Sequence, residues 1–492
     1  MQECQSTHVS TSPPQAHPFH GRTMTPSQPL NLASLRPLSS IAGLFLCCIA
    51  YAAEPTTTIN PESQGSTSPS TTPGFLPPFK YVPSNTVRKP EVQLPSPTRS
   101  ADQQRLVELN AKGDYSGVVR EGESIMAREK ADPELKLIFA NSLAWTGNLS
   151  AAALAYADLA NSPLINEAQI GLANVERWRG RDDRAYPLYQ EVLKRDASNA
   201  DAKEGLELST RELRPRTAVQ IGSASDSSDM QRRSASINHR WRNTEGTVIF
   251  EAEGENVDDS LPARQTQQAS WTVRATHLEL ALKPSLELSM PASGDQRLYG
   301  GLRIKVDDDQ ESIELGSVNW GKLALNANAL ASGLSATHAG LSMVRTGWAG
   351  SLTGRWDYYE ISDGNVLTSG RLQFSPAWRP LGAPVKPFVS VESRRASFNT
   401  LNYWSPDQGA VTAYLGALAE WAYADWSLYF SAQSGTGLSG DAGNGWSVSA
   451  GGKRWLAADL SISVNLWSMS SWRDASTYRA QAATLTLEKL WR

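Results

Sequence analysis

The stretch from Asp459 to Leu466, DLSISVNL, decides how the C-terminal half of this 492-residue chain folds. Apolar and polar side chains alternate along it without a break. Because successive side chains of a β-strand point to opposite faces, the stretch predicts a strand with one apolar and one polar face. The same period of two recurs at three further places, which are Leu286–Met290, Leu302–Val306 and Ile313–Leu315.

The positions of the tryptophans favour a membrane-embedded β-barrel over a soluble β-domain. Of the 16 tryptophans in the chain, 14 lie between Ala218 and Arg492. Amphipathic rings collect at the two membrane interfaces and form girdles around an apolar band. A soluble sandwich shows the same alternation but has no need of girdles. The tryptophans near segment ends are Trp320, Trp348, Trp378, Trp404, Trp446, Trp472 and Trp491.

Turn-forming clusters divide residues 214–492 into alternating segments. Roughly 275 residues over sixteen strands leave about 17 residues for each strand and its turn, which suits strands of 9–11 residues. We therefore expect about sixteen antiparallel strands, and the spacing alone leaves twelve or fourteen open. The clearest turn clusters are Asp307–Asp309, Ser362–Asn365 and Asp441–Gly445.

Strand phase divides the barrel side chains between lipid and lumen. A charge on the lipid side costs a few kcal/mol at the midplane, so charged residues within strands are assigned to the lumen. Inward charge predicts a wet lumen, in which these residues either contact a transported polymer or form cross-strand ion pairs that rigidify the barrel. The predicted lumen residues are Arg355, Asp357, Tyr359, Glu392, Arg394, Tyr414 and Glu420.

Composition excludes several classes of function. The net charge of −4 and the pI of about 6.0 give no basic surface for a nucleic acid. The cysteines are Cys4, Cys47 and Cys48, so the expected mature protein has neither a disulfide framework nor a cysteine metal site. The six histidines show no ligand spacing. We expect no metal and no cofactor.

The N-terminal part is predicted to contain a targeting segment followed by a linker. Ile41–Ala53 is an apolar run too short to span a bilayer as a helix but typical of a signal peptide, with cleavage expected after Ala52. Met24 is an alternative start. Residues 1–53 are thus predicted to be an extension and signal peptide. Residues 54–100, rich in Pro, Ser and Thr, are predicted to be a disordered linker.

Residues 101–213 change to a helical period and contain an internal repeat. Gly113, Gly147 and Gly180 recur at spacings of 34 and 33 residues, each in a position suited to a tight turn between paired helices. Alanines and tyrosines match at fixed distances beyond the last two glycines. The pattern resembles the tetratricopeptide repeat, in about three copies. A generic helical bundle is the alternative. The predicted fold class is therefore α+β multidomain, with a short α-helical solenoid followed by a transmembrane antiparallel β-barrel.

This order of parts resembles the outer-membrane exopolysaccharide exporters, namely the cellulose synthase C-type subunits and the poly-N-acetylglucosamine export porins. The most specific local match is Tyr403-Trp404-Ser405-Pro406, similar to a Tyr-Phe-Ser-Pro stretch in those barrels. The sequence departs from this family in two ways. Its repeat region is shorter, and it ends Trp491-Arg492, whereas such barrels commonly end on the aromatic residue itself. Without the resemblance, the motif reads as an interfacial aromatic pair followed by a turn proline.

The resemblance implies an outer-membrane, porin-like channel that exports a biofilm exopolysaccharide from the periplasm. Its expected partners are the polysaccharide chain, outer-membrane lipid, and periplasmic or inner-membrane proteins of the synthesis complex, docked by the repeats. An enzyme is not expected, because strand phase puts the carboxylates of Asp357 and Glu360 on opposite faces. The alternative function is an outer-membrane anchored scaffold or surface receptor that transports no polymer.

Overall fold

A computed structural model describes the chain from residue 99 to residue 491, except for these short gaps: 244–246, 262–263, 281, 293–296, 307–310, 324–328, 330, 379–383, 423–424 and 474–475. The predicted signal peptide and nearly all of the predicted linker lie outside the described residues.

Seven helices come first along the described chain. They are α1 (Ala101–Ala111), α2 (Tyr115–Arg128), α3 (Pro133–Trp145), α4 (Leu149–Ala157), α5 (Ile165–Trp178), α6 (Asp182–Arg195) and α7 (Ala200–Leu213). The start of α3 shows why they begin where they do: the Asp132 side chain accepts the Leu135 N–H at 2.9 Å, and Pro133 stands at the first helical position. None of the described helices has both the length and the apolar character needed to cross a membrane.

The helices form three hairpins, α1–α2, α3–α4 and α5–α6, followed by α7. Gly113, Gly147 and Gly180 lie at the hairpin turns with φ of 74°, 85° and 72°, a region that side chains with a Cβ rarely adopt. The packing repeats as well. The Tyr156 ring lies against Gly171 and donates its hydroxyl to Asn141 at 2.7 Å. The spacing noted in the sequence therefore corresponds to a repeated packing arrangement, and these seven helices are called the helical region below.

Sixteen strands follow and close into a barrel. They are β1 (Arg216–Asp226), β2 (Gln231–Arg242), β3 (Val248–Leu261), β4 (Arg264–His277), β5 (Ser285–Pro291), β6 (Tyr299–Val306), β7 (Glu311–Asn319), β8 (Ser335–Gly347), β9 (Gly350–Ile361), β10 (Val366–Pro376), β11 (Val385–Ala396), β12 (Ala410–Ala422), β13 (Trp426–Gly440), β14 (Gly445–Ala457), β15 (Leu460–Arg473) and β16 (Ser476–Leu490). The short helix α8 (Trp320–Leu323) lies between β7 and β8.

Every strand pairs antiparallel with its neighbours in sequence, and β1 pairs with β16 to close the ring. In this closing pair Arg216 lies opposite Leu490 and Asp226 opposite Ala480. Closure gives each of the sixteen described strands two neighbours. The prediction of about sixteen antiparallel strands is confirmed.

The outer surface of the barrel is apolar, as the alternation predicted. In the stretch from Asp459 to Leu466, Val464 and Leu466 are exposed on the outside, whereas Ser461 is buried inside. The same division holds around the ring. Exposed apolar side chains of the outer wall include Val219, Ile221, Ile237, Val273, Leu286, Leu288, Ile313, Leu315, Val389, Val391, Leu415, Leu428, Phe430, Leu485 and Leu487.

The helical region covers the end of the barrel at which β1 begins, called the near end; the opposite end is the far end. Arg211 on α7 lies over the Trp455 ring at the end of β14, 4.5 Å from its centroid. Arg120 on α2 lies over Trp348, in the β8–β9 turn, at 5.9 Å. Because β8 and β9 are half-way round the ring from β1, the helical region reaches across the near mouth.

Candidate functional site: the barrel interior

The structure places the predicted lumen residues on the inside of the barrel. Asp357 is 7% exposed and Glu392 2% exposed. Their strand neighbours Trp356 and Val391 are exposed on the outer wall. Arg355, Tyr359, Arg394, Tyr414 and Glu420 share the inward phase of their strands.

A network of charged and aromatic side chains surrounds Asp357. The Arg355 guanidinium donates to both carboxylate oxygens at 2.7 Å, and His338 Nε2 lies 2.9 Å from Oδ1. Arg355 is also 3.6 Å from Glu314. The imidazole of His338 stacks on the Tyr359 ring with centroids 4.7 Å apart. Arg355 and Asp357 are therefore bound to neighbours within the wall.

Sequence reasoning missed two members of this network. His338 on β8 and Glu314 on β7 belong to it because both face inward. The alternation of the sequence indicates the inward direction of both side chains. His338 stands an odd number of residues, three, before the outward-facing Leu341, and Glu314 lies between the outward-facing Ile313 and Leu315.

Glu392 and Glu420 are also ion-paired and buried. Arg371 Nη1 lies 3.2 Å from Glu392 Oε1, and Lys386 Nζ donates to Glu420 Oε2. Sequence phase predicted that Glu420 faces water, but its side chain is only 4% exposed. The alternation of the strand correctly predicts that this side chain points inward. It does not predict whether the side chain contacts water, because alternation carries no information on what covers the inner wall.

Two far-end loops fold back into the barrel and form an apolar cluster, called the far-end plug. The loop between β7 and β8 contributes Trp320 and Leu334, and the loop between β11 and β12 contributes Tyr403. They pack on Ile361 and Leu367 of the wall. The Trp320 ring lies 5.3 Å from the Tyr403 ring, and the Tyr403 hydroxyl donates to Asp363 at 2.9 Å.

The far-end plug corrects the assignment of Trp320 and Trp404 to a membrane girdle. Trp320 is 2% exposed and Trp404 7% exposed, and the Arg394 guanidinium lies over the Trp404 ring at 5.3 Å. Both rings are inside because their loops turn inward instead of ending at the membrane surface. The other segment-end tryptophans are exposed: Trp348, Trp378, Trp446, Trp472 and Trp491.

The motif Tyr403-Trp404-Ser405-Pro406 ties down the loop between β11 and β12. The Ser405 hydroxyl is buried and accepts the Thr400 N–H at 2.8 Å. The Pro406 carbonyl accepts the Ala396 N–H at 2.9 Å. Tyr403 and Trp404 are therefore buried, and the Ser405 hydroxyl and the Pro406 carbonyl hold the loop in its inward fold.

The interior of β13–β16 differs from the wall just described. Between the Lys453–Glu488 ion pair, 2.7 Å long near the near end, and Met469 towards the far end, the inward side chains carry no charge. All of them are partly accessible to water. We call this set the uncharged strip: Tyr429, Ser431, Gln433, Ser447, Ser449, Ser463, Asn465, Trp467, Thr484 and Thr486.

The interior of β2–β5 carries charges of both signs in compensating contacts. Arg274 Nη1 lies 3.1 Å from Glu251 and its Nε donates to Glu287 at 2.8 Å. Arg240 is 3.8 Å from the same Glu251. On this wall, Arg274 and Arg240 therefore lie beside the same carboxylate, that of Glu251.

At the near mouth, ion pairs hold the helical region to the barrel. Arg181 donates to Glu279 of the β4–β5 loop and to the Leu278 carbonyl at 3.1 Å. Arg242 at the end of β2 lies 3.7 Å from Asp183. Burial raises the pKa of the neighbouring Asp182 carboxyl to about 6. Two of the predicted turns contact the barrel at separate places: the Gly180 carbonyl accepts from Arg242 at 3.4 Å, and Gly147 lies beside Thr346 of β8.

What this interior can do chemically follows from its groups. Among the described residues, no set of three or more His, Cys, Asp and Glu side chains is placed to hold a metal ion. Asp357 lies inside while Glu360 is exposed on the opposite face, so these carboxylates do not flank a common space. The open part of the interior offers hydroxyls, amides and aromatic rings, which suit weak and repeated contacts with a hydrated solute.

Comparison with known proteins gives fold similarity only. No family model and no curated protein matches the sequence. The solved structure of a bacterial polysaccharide outer membrane secretin is 12% identical, with a TM-score of 0.46 over 57% of this chain and 99% of that one. CdiB from Acinetobacter baumannii is 9% identical, with a TM-score of 0.37 over 56% of this chain and 60% of that one. OprD from Pseudomonas aeruginosa is 9% identical, with a TM-score of 0.33 over 56% and 93%. Because the sequence identities and TM-scores are this low, the function is argued from the barrel itself.

Proposed function

We propose that this protein is a porin-like channel of the bacterial outer membrane that exports an exopolysaccharide from the periplasm. The observation that carries the proposal is a closed sixteen-stranded barrel with an apolar outer surface and a partly water-accessible, uncharged strip inside. The apolar surface suits lipid, and the polar interior suits a hydrated solute.

The chemistry of the lumen supports a polymer more than a single tight ligand. A polymer in transit needs contacts that are weak and repeated, because one strong site would hold it. The uncharged strip runs along four strands and repeats serine, threonine, asparagine and glutamine hydroxyls and amides. A channel for a small ligand more commonly gathers a few convergent polar groups into one pocket.

We further propose that the helical region is a tetratricopeptide-like domain in the periplasm, with domain boundaries at 101–213 and 214–492. Three glycine-turned hairpins with repeated tyrosine–glycine packing support the repeat assignment. The signal-like stretch Ile41–Ala53 supports export, and repeats of this type bind partners along their surface. In this proposal the helices dock a protein of the synthesis complex next to the near mouth.

Conductance tests the channel directly. The purified full chain, inserted into planar lipid bilayers, should open discrete ion-conducting steps, and the same protein should fractionate with outer membranes and show heat-modifiable gel mobility. A chain lacking residues 101–213 should still insert but should export less polymer, which is measured by secreted polysaccharide. Recovery of the full chain as a soluble periplasmic protein would defeat the proposal, and normal secretion by the truncated chain would defeat the docking role.

The far-end plug favours a second candidate function. Loops that pack Trp320 and Tyr403 inside the barrel narrow the far mouth, and the helical region reaches across the near one. A barrel narrowed at both ends also suits a membrane anchor for a scaffold or a surface receptor. The absence of conductance in bilayers, together with correct insertion, would select this alternative.

A further inference from the structure

We infer that the uncharged strip is the track for the exported polymer, and that this polymer is a neutral polysaccharide without uronic acid, sulfate or free amino groups. The inference rests on the proposed function and deepens it by naming the substrate class. It stands on three observations, which are an aromatic platform on the strip, the hydroxyl and amide groups around this platform, and the absence of charge along the strip.

Tyr429 on β13 provides the platform. Its ring lies over Gly451 of β14, where an added Cβ would overlap the ring. Its hydroxyl donates to Asn465 Oδ1 of β15 at 3.1 Å, which fixes the ring in this position. One face of the ring is thus covered by the wall. The side chain is in the inward phase of β13 and remains partly accessible to water.

Strand register places a second aromatic side chain close to the first. Tyr429 pairs with Gly451, and Gly451 pairs with Asn465. In the next row towards the far end, Ser431 pairs with Ser449, and Ser449 pairs with Trp467. Tyr429 and Trp467 are therefore two strands and one row apart, about 10 Å across the sheet and about 7 Å along the strands. Two aromatic faces at this separation offer successive contacts to the apolar faces of pyranose rings.

Hydroxyls and amides surround the two rings. Serines of the strip lie beside Trp467 in its own row, and Asn465 lies in the row of Tyr429. Further round the ring, Thr486 donates to Gln220 of β1 at 3.3 Å, so the amide of Gln220 extends the polar surface. Sugar hydroxyls donate and accept equally, as do serine and threonine hydroxyls. Exchange of such partners along the strip lets a chain move without a strong binding step.

Charge decides which polysaccharide fits. Neither a polyanion nor a polycation finds a counter-charge on the strip, so it would lose hydration there without compensation. The charges that flank the strip are already paired, Lys453 with Glu488 near the near end and Lys386 with Glu420 on β12. A neutral chain loses no charge hydration and gains ring and hydroxyl contacts.

The test uses the full chain and three hexasaccharides: a neutral glucose hexamer, a galacturonic acid hexamer and a glucosamine hexamer. Block of the ion current in planar bilayers and heat of binding in detergent micelles are measured for each. We expect the neutral hexamer to block and bind, and the two charged hexamers to do so at least about tenfold more weakly. Tyr429→Ala and Trp467→Ala should each weaken binding of the neutral hexamer about threefold to tenfold, the scale of one lost ring contact.

Matched variants separate a loss of contact from a loss of folding. Tyr358→Ala removes a tyrosine from the outer face of β9 and should leave block unchanged. Tyr429→Phe keeps the ring and should retain most of the block. Ser449→Glu places one carboxylate on the strip, and it should weaken block by the neutral hexamer and strengthen block by the glucosamine hexamer.

The outcomes distinguish the inference from the proposed function. A chain that conducts, but whose current is blocked best by a charged hexamer, overturns the neutral track and leaves the channel standing. The same conclusion follows if Tyr429→Ala and Tyr358→Ala have equal effects. A chain that inserts without conducting and binds no hexamer overturns both. Selective binding of the neutral hexamer, reduced by Tyr429→Ala and Trp467→Ala only, supports the inference.

Discussion

The wall from β8 to β12 and the wall from β13 to β16 face the same lumen, yet their inner side chains have different surroundings. On the first wall Asp357, Glu392 and Glu420 are buried and ion-paired. On the second wall the inward residues are uncharged and partly accessible, with Tyr429 and Trp467 among them. We call them the closed wall and the open wall.

The difference between the two walls shows that a side chain that points into the barrel does not necessarily contact water. The far-end plug packs on Ile361 and Leu367 of the closed wall, and Trp404 from the same loops lies against Arg394. The uncharged strip is partly accessible. The carboxylates of the closed wall are therefore engaged in ion pairs, and we propose that a solute passes along the open wall.

The largest expected effect comes from breaking the network of the closed wall. Asp357→Ala removes the acceptor of two Arg355 hydrogen bonds and the partner of His338. The variant removes two hydrogen bonds from a charged donor, worth about 1.5–3 kcal/mol each, and leaves the buried His338 without its acceptor, so the free energy of unfolding in urea should fall by about 3–5 kcal/mol. Ser449→Ala on the open wall is the control and should change it by less than about 0.5 kcal/mol. Equal effects of the two variants would abolish the distinction between the walls.

A lipid-side variant tests whether the outer surface faces a membrane. Leu415 on β12 is 67% exposed and lies near the middle of its strand. Leu415→Arg should lower the free energy of unfolding in lipid vesicles by about 2–4 kcal/mol, because the guanidinium would lie in hydrocarbon. Trp421→Arg, close to the end of the same strand, should cost less, since the penalty falls towards the interface. A barrel that tolerates both equally in vesicles is not embedded at this depth.

Much of this division between inside and outside was predictable from the sequence. A period of two assigns each side chain of a strand to one face, so the inward direction of Asp357 and Glu420 required only their neighbours. Glycine spacing likewise located the helix turns at Gly113, Gly147 and Gly180. These properties are local, and local patterns are what a single sequence records.

The burial of the closed wall was not predictable in the same way. Towards the far end, around Tyr359 and Arg394, it depends on two loops, between β7 and β8 and between β11 and β12, that fold inward and place Trp320 and Trp404 against these residues. The position of a tryptophan near the end of a strand segment does not indicate whether its ring turns into the barrel or stays at the membrane interface. The Tyr429–Gly451 platform joins residues on two strands, so it required the register.

The helical region offers a test of burial outside the strands through pH. Burial raises the pKa of Asp182 to about 6, above the value of about 3.9 expected for the unfolded chain. The folded state therefore keeps a proton that the unfolded state releases, and the free energy of unfolding should fall as pH rises from about 4 to about 6. The loss should be on the order of 2–3 kcal/mol, followed by helix circular dichroism in urea.

Asp182→Asn checks the assignment, because the amide cannot ionise and the pH dependence between about pH 4 and pH 6 should disappear. Asp158→Asn changes an exposed carboxylate of the same region and should leave the dependence in place. If Asp182→Asn retains the full pH dependence, another group is responsible for it.

The smallest expected effect on stability is at Glu420, and it tests whether this carboxylate forms a buried ion pair or faces the water of the lumen. Glu420→Ala removes the acceptor of Lys386 Nζ. Because Lys386 is partly exposed and can regain water, the free energy of unfolding should fall by only about 1–2 kcal/mol. Replacing both partners by apolar side chains, Lys386→Met with Glu420→Leu, should recover most of that loss, since no unpaired charge is left. Unfolding in urea gives both values. If the double variant is less stable than Glu420→Ala, the pair is not isolated from water, and Glu420 belongs with the open wall.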